Sequence, residues 1–211
     1  MTTYSALKTR IVTEMVRDDL AAGEALEDTL DTHFGMACEY YADEKFWFNS
    51  LIATATTTAS TINVALPAAF RRIDRVTLTA YDTELIPTTI GDFEDYATTA
   101  IPTHWAWYND NIRLYPTPDA TYTLRFYGIA QVDAPSDDAD ENIWTTEAQH
   151  LIVAHTKMSL ARGVFRDAGG VELFQGEAID QLKKLRRETA RRLSVPLRVS
   201  SSNGRYNINT G

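Results

Sequence analysis

Cysteine is almost absent: Cys38 is the only one among 211 residues. That excludes an internal disulfide framework and a thiolate metal cluster, and it agrees with a reducing compartment. Histidine is nearly as scarce, with only His33, His104, His150 and His155. His150 and His155 are five apart, roughly 140° around a helix, and so not on the one face that a helical zinc pair requires. His33 and Cys38 are also five apart, which disfavours a Cys–His dyad, so Cys38 reads as a small buried hydrophobe. No run of about 18 apolar residues exists to span a bilayer, and Met1-Thr-Thr-Tyr lacks the basic and apolar regions of a secretory signal. A phosphate loop is missing too. Gly169-Gly170 follows a helical pattern and precedes no Lys-Ser/Thr pair, so it reads as a helix stop. The expectation is a protein made in the cytosol, with no membrane partner, metal or cofactor.

Charge is present in excess of one sign and unevenly placed. The chain carries 29 Asp/Glu against 20 Lys/Arg, a net charge of −9. Residues 1–140 hold nine Lys/Arg and 22 Asp/Glu (−13), whereas residues 141–211 hold 11 and seven (+4). The acidic part would repel a duplex, and the basic part could meet phosphates or acidic protein surfaces. Such segregation fits either contact between copies or mutual neutralisation inside one fold. The acidic stretch Asp133-Ala-Pro-Ser-Asp-Asp-Ala-Asp-Glu141 lacks the alternating acids and central glycine of a calcium loop, so it reads as a solvated connector.

Helical spacing opens the chain. Leu7, Ile11 and Met15, flanked by Val12 and Val16, predict a helix from about Ser5, its expected N-cap, to Leu20. Leu26, Leu30, Phe34, Ala37 and Tyr41 predict a second helix over about Glu24 to Lys45, with Gly23 between the two and acids at its start that suit the helix dipole. The pattern then changes to period two from Leu51 to Val132. Ile62/Val64/Leu66, Val76/Leu78/Ala80, a Trp105–Tyr115 hairpin turning at Tyr108-Asn-Asp-Asn111, and Tyr122/Leu124/Phe126 predict a meander of antiparallel strands. Asp92 to Tyr96 is read as one helical turn. Helical spacing returns in Leu151, Ala154, His155, Met158, Ala161 and Phe165, with Thr146 as N-cap, and again in Phe174, Ala178, Leu182, Leu185 and Leu193 up to Ser194-Val-Pro196.

This order predicts an α+β fold. A helical hairpin (1–49) and a second one (141–196) form a bundle from both chain ends, an antiparallel β-subdomain (50–140) is inserted between them, and residues 197–211 are a flexible, extended C-terminal arm. Between the second helix and the first strand lies Glu39-Tyr-Tyr-Ala-Asp-Glu-Lys-Phe-Trp-Phe-Asn49. Its aromatics Phe46, Trp47 and Phe48 are expected to form a structural junction that packs on both the bundle and the β-subdomain.

Tyr41-Ala-Asp-Glu-Lys-Phe-Trp-Phe-Asn49, Ala65-Leu-Pro-Ala-Ala-Phe70, Ile112-Arg-Leu-Tyr-Pro-Thr-Pro118 with Tyr122-Thr-Leu124, and Asn142-Ile-Trp-Thr-Thr-Glu147 together resemble the head-to-tail adaptor (connector or neck) proteins of tailed bacteriophages. The resemblance runs in order along nearly the whole chain. It implies a structural virion protein that forms a ring, commonly of twelve copies, beneath the portal protein. Such a ring extends the channel through which double-stranded DNA passes without sequence reading, and offers the docking surface for a downstream tail protein. It also implies an arm that orders on the portal, for which Leu197, Val199, Tyr206 and Ile208 are the expected apolar anchors.

The strongest functional candidate among the residues themselves is Lys183-Lys-Leu-Arg-Arg-Glu-Thr-Ala-Arg-Arg192, six cations in ten residues. Leu182, Leu185 and Leu193 are expected to face the core, Asp180–Lys184 and Glu188–Arg192 to pair along the helix, and Lys183, Lys184, Arg187 and Arg191 to meet a neighbouring subunit or line the channel. A solvated face matched to the helix dipole and contact with DNA phosphates are the other readings of the same run. Trp105, Trp107 and Tyr108 could stack a sugar, though alternating aromatics on a hairpin more often cover a core. The alternatives are therefore another tail component, such as a tail-tube or receptor- or sugar-binding protein, and a packaging or cell-wall-degrading enzyme. An enzyme is disfavoured because the acids sit mainly on helix starts and loops rather than as paired carboxylates in a cleft.

Overall fold

A computed structural model describes residues 2–15, 24–67, 69–93, 98–109 and 111–193. Helix α1 spans Tyr4–Glu14 and buries Tyr4, Leu7 and Ile11 along one face. Its N-cap is Thr3, not Ser5: the Thr3 hydroxyl accepts from the Ala6 N–H at 3.4 Å. The helix starts early because the acidic loop supplies acceptors. Tyr4 N–H donates to the Asp140 carbonyl and Ser5 N–H to the Asp138 carbonyl, both at 3.0 Å, satisfying donors that a helix start otherwise leaves open. The expected continuation of α1 toward Leu20 and the break at Gly23 lie outside the described residues.

Helix α2 spans Glu24–Tyr41 and turns Leu30, Phe34, Ala37, Cys38 and Tyr41 into the core. It ends four residues short of Lys45, because the N–H groups of Ala42 and Glu44 fold back onto the carbonyls of Glu39 and Tyr41 at 3.1 Å each. After the strand region, α3 (Ile143–Thr146) begins at Asn142. The Asn142 side chain accepts from Trp144 and Thr145, and Thr145 returns a bond in a capping box. Thr146 is thus the last residue of that turn and caps nothing. Helix α4 (Gln149–Leu160) runs into a π-turn, Ala161–Phe165, which stops at Arg166 with φ 53°. The stop is therefore Arg166, and Gly169-Gly170 lies in the first turn of α5 (Ala168–Leu193). A Cβ at Gly170 would fall 2.5 Å from the Asp167 carboxylate, so glycine leaves room for that carboxylate over the helix start, where the dipole favours it.

The strands are β1 (Ser50–Thr56), β2 (Asn63–Ala65), β3 (Phe70–Leu78), β4 (Thr83–Glu84), β5 (Ile86–Pro87), β6 (Thr99–Ala100), β7 (His104–Tyr108), β8 (Asn111–Tyr115), β9 (Thr117–Pro118) and β10 (Thr123–Ala130). Ile90–Phe93 forms a short 3-10 turn, and the rest of the predicted Asp92–Tyr96 turn lies outside the described residues. The β7–β8 hairpin forms as expected, with Asn109 at φ 51°. The simple meander does not form. One sheet has the order β1-β10-β3-β4, a second β2-β8-β7-β5, and β6 and β9 pair separately, with the short contacts β5–β7 and β6–β9 parallel. β10 holds a central place because Leu124 and Phe126 are fully buried and its eight residues can be paired on both edges.

The fold is thus α+β, with mainly antiparallel sheets and several helices. One core gathers Tyr4, Leu7, Phe34, Phe46, Trp144, Leu151 and Ile152 from the helical segments. A second core gathers Val64, Val76, Leu78, Trp105, Ile112, Leu114, Leu124 and Phe126 from both four-stranded sheets. In β10 the ladder with β3 shifts register between Tyr127 and Gly128. A Cβ at Gly128 would lie inside contact distance of the Arg72 carbonyl oxygen and 3.0 Å from the Phe70 ring. Gly128→Ala should lower the unfolding free energy by about 2 kcal/mol, the usual scale for overpacking, and denaturant titration of both proteins would show it. An unchanged midpoint would mean that the two strands can separate at no cost.

Candidate functional site

Helix α5 presents two faces. Ala178 and Thr189 are buried, and Leu182 and Leu185 pack against the helical core. Leu193 does not face the core as expected; it is 48% exposed. The outer face carries the cations, and most have found carboxylates within the chain. Arg186 forks onto Glu44 at 2.8 and 2.9 Å, which ties α5 to the turn after α2. Arg191 and Arg192 both reach Glu188, at 2.8 and 2.7 Å. Asp180 takes Lys183 at 3.4 Å rather than the expected Lys184. Among the described residues, Lys184 and Arg187 have no carboxylate partner.

The aromatic junction meets this helix. Phe46 is fully buried in the helical core, and Phe48 stacks on it at 5.0 Å and meets Trp144 edge-on at 6.3 Å. Trp47 turns outward, and the Arg192 guanidinium lies 4.5 Å over its ring. The three aromatics therefore pack on the helical side alone; the core between the sheets takes none of them. Trp47, Leu151, Leu185, Lys184 and Glu188 line a hollow of about 240 Å³.

Sequence reasoning missed a second feature. Lys157 sits on the buried face of α4 with only 6% of its side chain exposed. Its ammonium reaches Glu14 of α1 and Glu177 of α5, each at 2.9 Å, and lies 4.6 Å from the Phe174 ring. The available signal was a lysine inside the apolar stripe of α4, between Ala154 and Ala161. A cavity of about 600 Å³ opens beside it, lined by Arg10, Glu14, His150, Lys157, Phe174 and Glu177 among others. Burial pushes the Glu14 carboxyl up, but the hydrogen bonds from Arg10 and Lys157 outweigh it and hold the group below the ordinary carboxylate range. That is the wrong direction for a general acid at neutral pH. The arrangement can clamp three helices; it offers no activated nucleophile.

The remaining candidates are structural in their contacts. His155 bonds the Tyr41 hydroxyl at 3.0 Å, His33 bonds Ser159 at 2.7 Å, and His150 meets Arg10 at 3.1 Å. No group of three or more His, Cys, Asp or Glu able to hold a metal ion occurs among the described residues. Cys38 is buried, which pushes its thiol pKa up and away from reactivity. Trp105 is buried, whereas Trp107 and Tyr108 are exposed at the hairpin tip, with the Trp107 indole N–H donating to the Asn109 carbonyl. The acidic loop is largely exposed, as a solvated connector would be, and it also clasps α1. Asp140 accepts from the N–H groups of Ser136 and Asp137, and Asp138 pairs with Lys8 at 2.6 Å. The expected arm anchors Leu197, Val199, Tyr206 and Ile208 lie outside the described residues.

This geometry joins adaptor-like sequence marks to contacts that pack and clamp, and comparison with known families decides what they belong to. The SU10 adaptor protein family matches residues 2–200. The chain belongs to that family, a phage head-to-tail adaptor family. It is a structural family rather than a catalytic one. No curated protein matches the chain. Among the described residues, no helix is long and apolar enough to cross a membrane.

The histidines make the fold sensitive to acid. Burial holds His33, His150 and His155 below their ordinary value of 6.5, aided at His150 by Arg10 and Lys184 and at His155 by Arg162. Below that value the unfolded chain takes up protons that the folded chain refuses, so stability is complete above it and falls as the pH drops through it. Glu14 adds a later loss: its lowered pKa contributes stability above 4.5 that disappears as the pH falls through the folded value. The urea midpoint should therefore be lower at about pH 5 than at about pH 7.5, and His155→Gln, which keeps a bond to Tyr41, should flatten that slope. Equal midpoints in the wild-type protein would refute the assignment.

Proposed function

We propose that the chain acts as a structural head-to-tail adaptor whose copies form a ring, of twelve subunits, beneath the portal of a filled phage head. The ring extends the DNA channel and presents the surface on which the tail docks. The observation that carries this reading is the adaptor-family match across residues 2–200; the function it supports is geometric, not catalytic. The helices of residues 1–49 and 141–196 act as one bundle, and residues 50–140 act as the inserted β-subdomain. Two observations support this division: one core draws on both helical segments, and a separate core draws on the sheets. Phe46 and Phe48 anchor the crossing between them in the bundle.

Contact with the portal and with neighbouring copies falls to α5 and to the arm. Intramolecular partners already satisfy Arg186, Lys183, Arg191 and Arg192. Lys184 and Arg187 are then the cations best placed to meet acidic surface on a neighbour or the phosphates of passing DNA. Leu197, Val199, Tyr206 and Ile208 anchor the arm on the portal, where contacts offset the entropy of ordering it and so make assembly sequential.

Sedimentation of the purified protein alone and mixed with portal rings tests this. Mixing should give a complex with several copies per portal. Reversing both charges (Lys184→Glu with Arg187→Glu) should weaken that complex roughly tenfold, about 1.4 kcal/mol, and should do so more than reversing Lys183 and Arg191. Deleting residues 197–211 should leave the melting temperature nearly unchanged and abolish joining. Full joining by the truncated chain would remove the arm from the mechanism, and failure of the intact protein to join any portal would overturn the adaptor role.

A further inference from the structure

Two surfaces of the chain match each other. The first is the tip of the β3–β4 hairpin, where Tyr81 is 55% exposed and Asp82, Thr83 and Glu84 are exposed beside it. The tip is held in one form. Tyr81 N–H bonds the Leu78 carbonyl at 3.3 Å, the Thr83 hydroxyl donates to the Tyr81 carbonyl at 3.1 Å, and Asp82 takes a φ of 49°, which aspartate tolerates. The Tyr81 ring meets Tyr122 at 6.3 Å. Among the described residues, neither Asp82 nor Glu84 has a cation partner. An aromatic already fixed between two unpaired carboxylates loses little freedom when another surface takes it.

The second surface is the hollow of about 240 Å³ over Trp47, Leu151 and Leu185. Its apolar floor suits an aromatic ring, whose polar tip can stay at the rim. Lys184 stands on that rim, with Arg187 one turn further along α5, and neither has a carboxylate partner among the described residues. Glu188 on the same rim is already neutralised by Arg191 and Arg192. Glu147, also on the rim, is an acceptor for a phenol hydroxyl.

Charge points the same way. Residues 76–112 hold six Asp/Glu and no Lys/Arg, whereas residues 181–192 hold six Lys/Arg and one Glu. The exposed aromatics of the other hairpin tip, Trp107 and Tyr108, lead into Asn109, whose carbonyl takes the Trp107 indole N–H. The chain's own tip cannot fill its own hollow. Thr79 N–H bonds the Thr123 carbonyl at one end of β10, while at the other end Ala130 N–H bonds the carbonyl of Asn49, two residues after Trp47. The eight residues of β10 hold the two surfaces roughly 23 Å apart.

We propose that Tyr81 of one copy seats in the hollow over Trp47, Leu151 and Leu185 of a second copy, where Asp82 and Glu84 pair with Lys184 and Arg187 and the Tyr81 hydroxyl donates to Glu147. Tip and hollow are different surfaces, so the contact is heterologous and repeats from copy to copy until a ring closes. This contact rests on the ring reading above and names the acidic surface that Lys184 and Arg187 meet.

Carbodiimide coupling of the full-length protein on portal rings tests it. The reagent activates a carboxylate, which condenses with an amine where the two already touch, and a mixture of light and heavy-isotope chains separates links between copies from links within one. Amide links from Lys184 to Asp82 or Glu84 that join light and heavy chains are expected. Asp82→Lys with Glu84→Lys should weaken assembly on the portal about tenfold, and adding Lys184→Glu with Arg187→Glu to the same chain should restore it. Tyr81→Ala should weaken assembly to a similar degree and leave the melting temperature in place, since the side chain is exposed. Links from Lys184 to the portal instead, links confined to one chain, or no recovery with the exchanged charges would each overturn the contact. Rings that form without the mixed link would refute this contact and leave the ring reading standing. Mixed links found only in open chains of subunits would do the reverse.

Discussion

Asn49 is the residue on which the two halves of the fold are joined. It is 2% exposed; its side-chain oxygen accepts from the Phe46 N–H at 2.8 Å, and its amide donates to the Glu44 carbonyl at 2.8 Å. A buried carboxamide with an unmet bond would be costly, so this turn has one low-energy form. That form places Phe46 and Phe48 in the helical core and sends the chain directly into β1, whose first ladder bond uses the Asn49 carbonyl. The end of α2, the start of the sheet and the outward turn of Trp47 toward Arg192 follow from the same turn.

Around this joint the charges are spent mostly inside the molecule. Arg71 reaches Glu39 and Asp43, Lys45 and Arg72 share Asp74, Lys8 meets Glu27, Asp31 and Asp138, and Arg186 returns to Glu44. Most of these pairs are exposed, and each adds little to stability on its own. Together they set which faces of the helices stay closed. Lys157 is different. A lysine almost withdrawn from water, held by a carboxylate from each of two other helices, fixes the spacing of α1, α4 and α5, since removal of any partner leaves a buried charge poorly matched. Among the described residues, two pairs, Glu14–Lys157 and Glu44–Arg186, join the acidic and basic parts of the chain.

Much of this was readable without coordinates. The helical stripes through Leu7 and Ile11, Phe34 and Tyr41, Leu151 and Ala154, and Leu182 and Leu185 all mark buried faces, because a 3.6-residue period can be satisfied only by turning one side to a core. The alternation in β10 and the Asn-rich hairpin tip were equally clear. The errors were local or long-range. Ser5, Thr146 and Gly169-Gly170 have the right chemistry for helix ends, but Thr3, Asn142 and Arg166 hold those roles: the acidic loop supplies acceptors at the start of α1, Asn142 closes a capping box on Thr145, and the chain turns left-handed at Arg166. The meander failed because nearness along the chain does not outweigh burial: β10 goes where both its edges are paired.

Periodicity by itself determined the class of the fold, and four short motifs carried the resemblance to the adaptor family, since both depend on residues close together in the chain. Only the tertiary structure decided which cations lack a carboxylate partner among the described residues, that the acidic loop clasps α1 and that Lys157 is a clamp. Each of these is a pairing between residues far apart in the chain, and the sequence contains the partners without the distance between them.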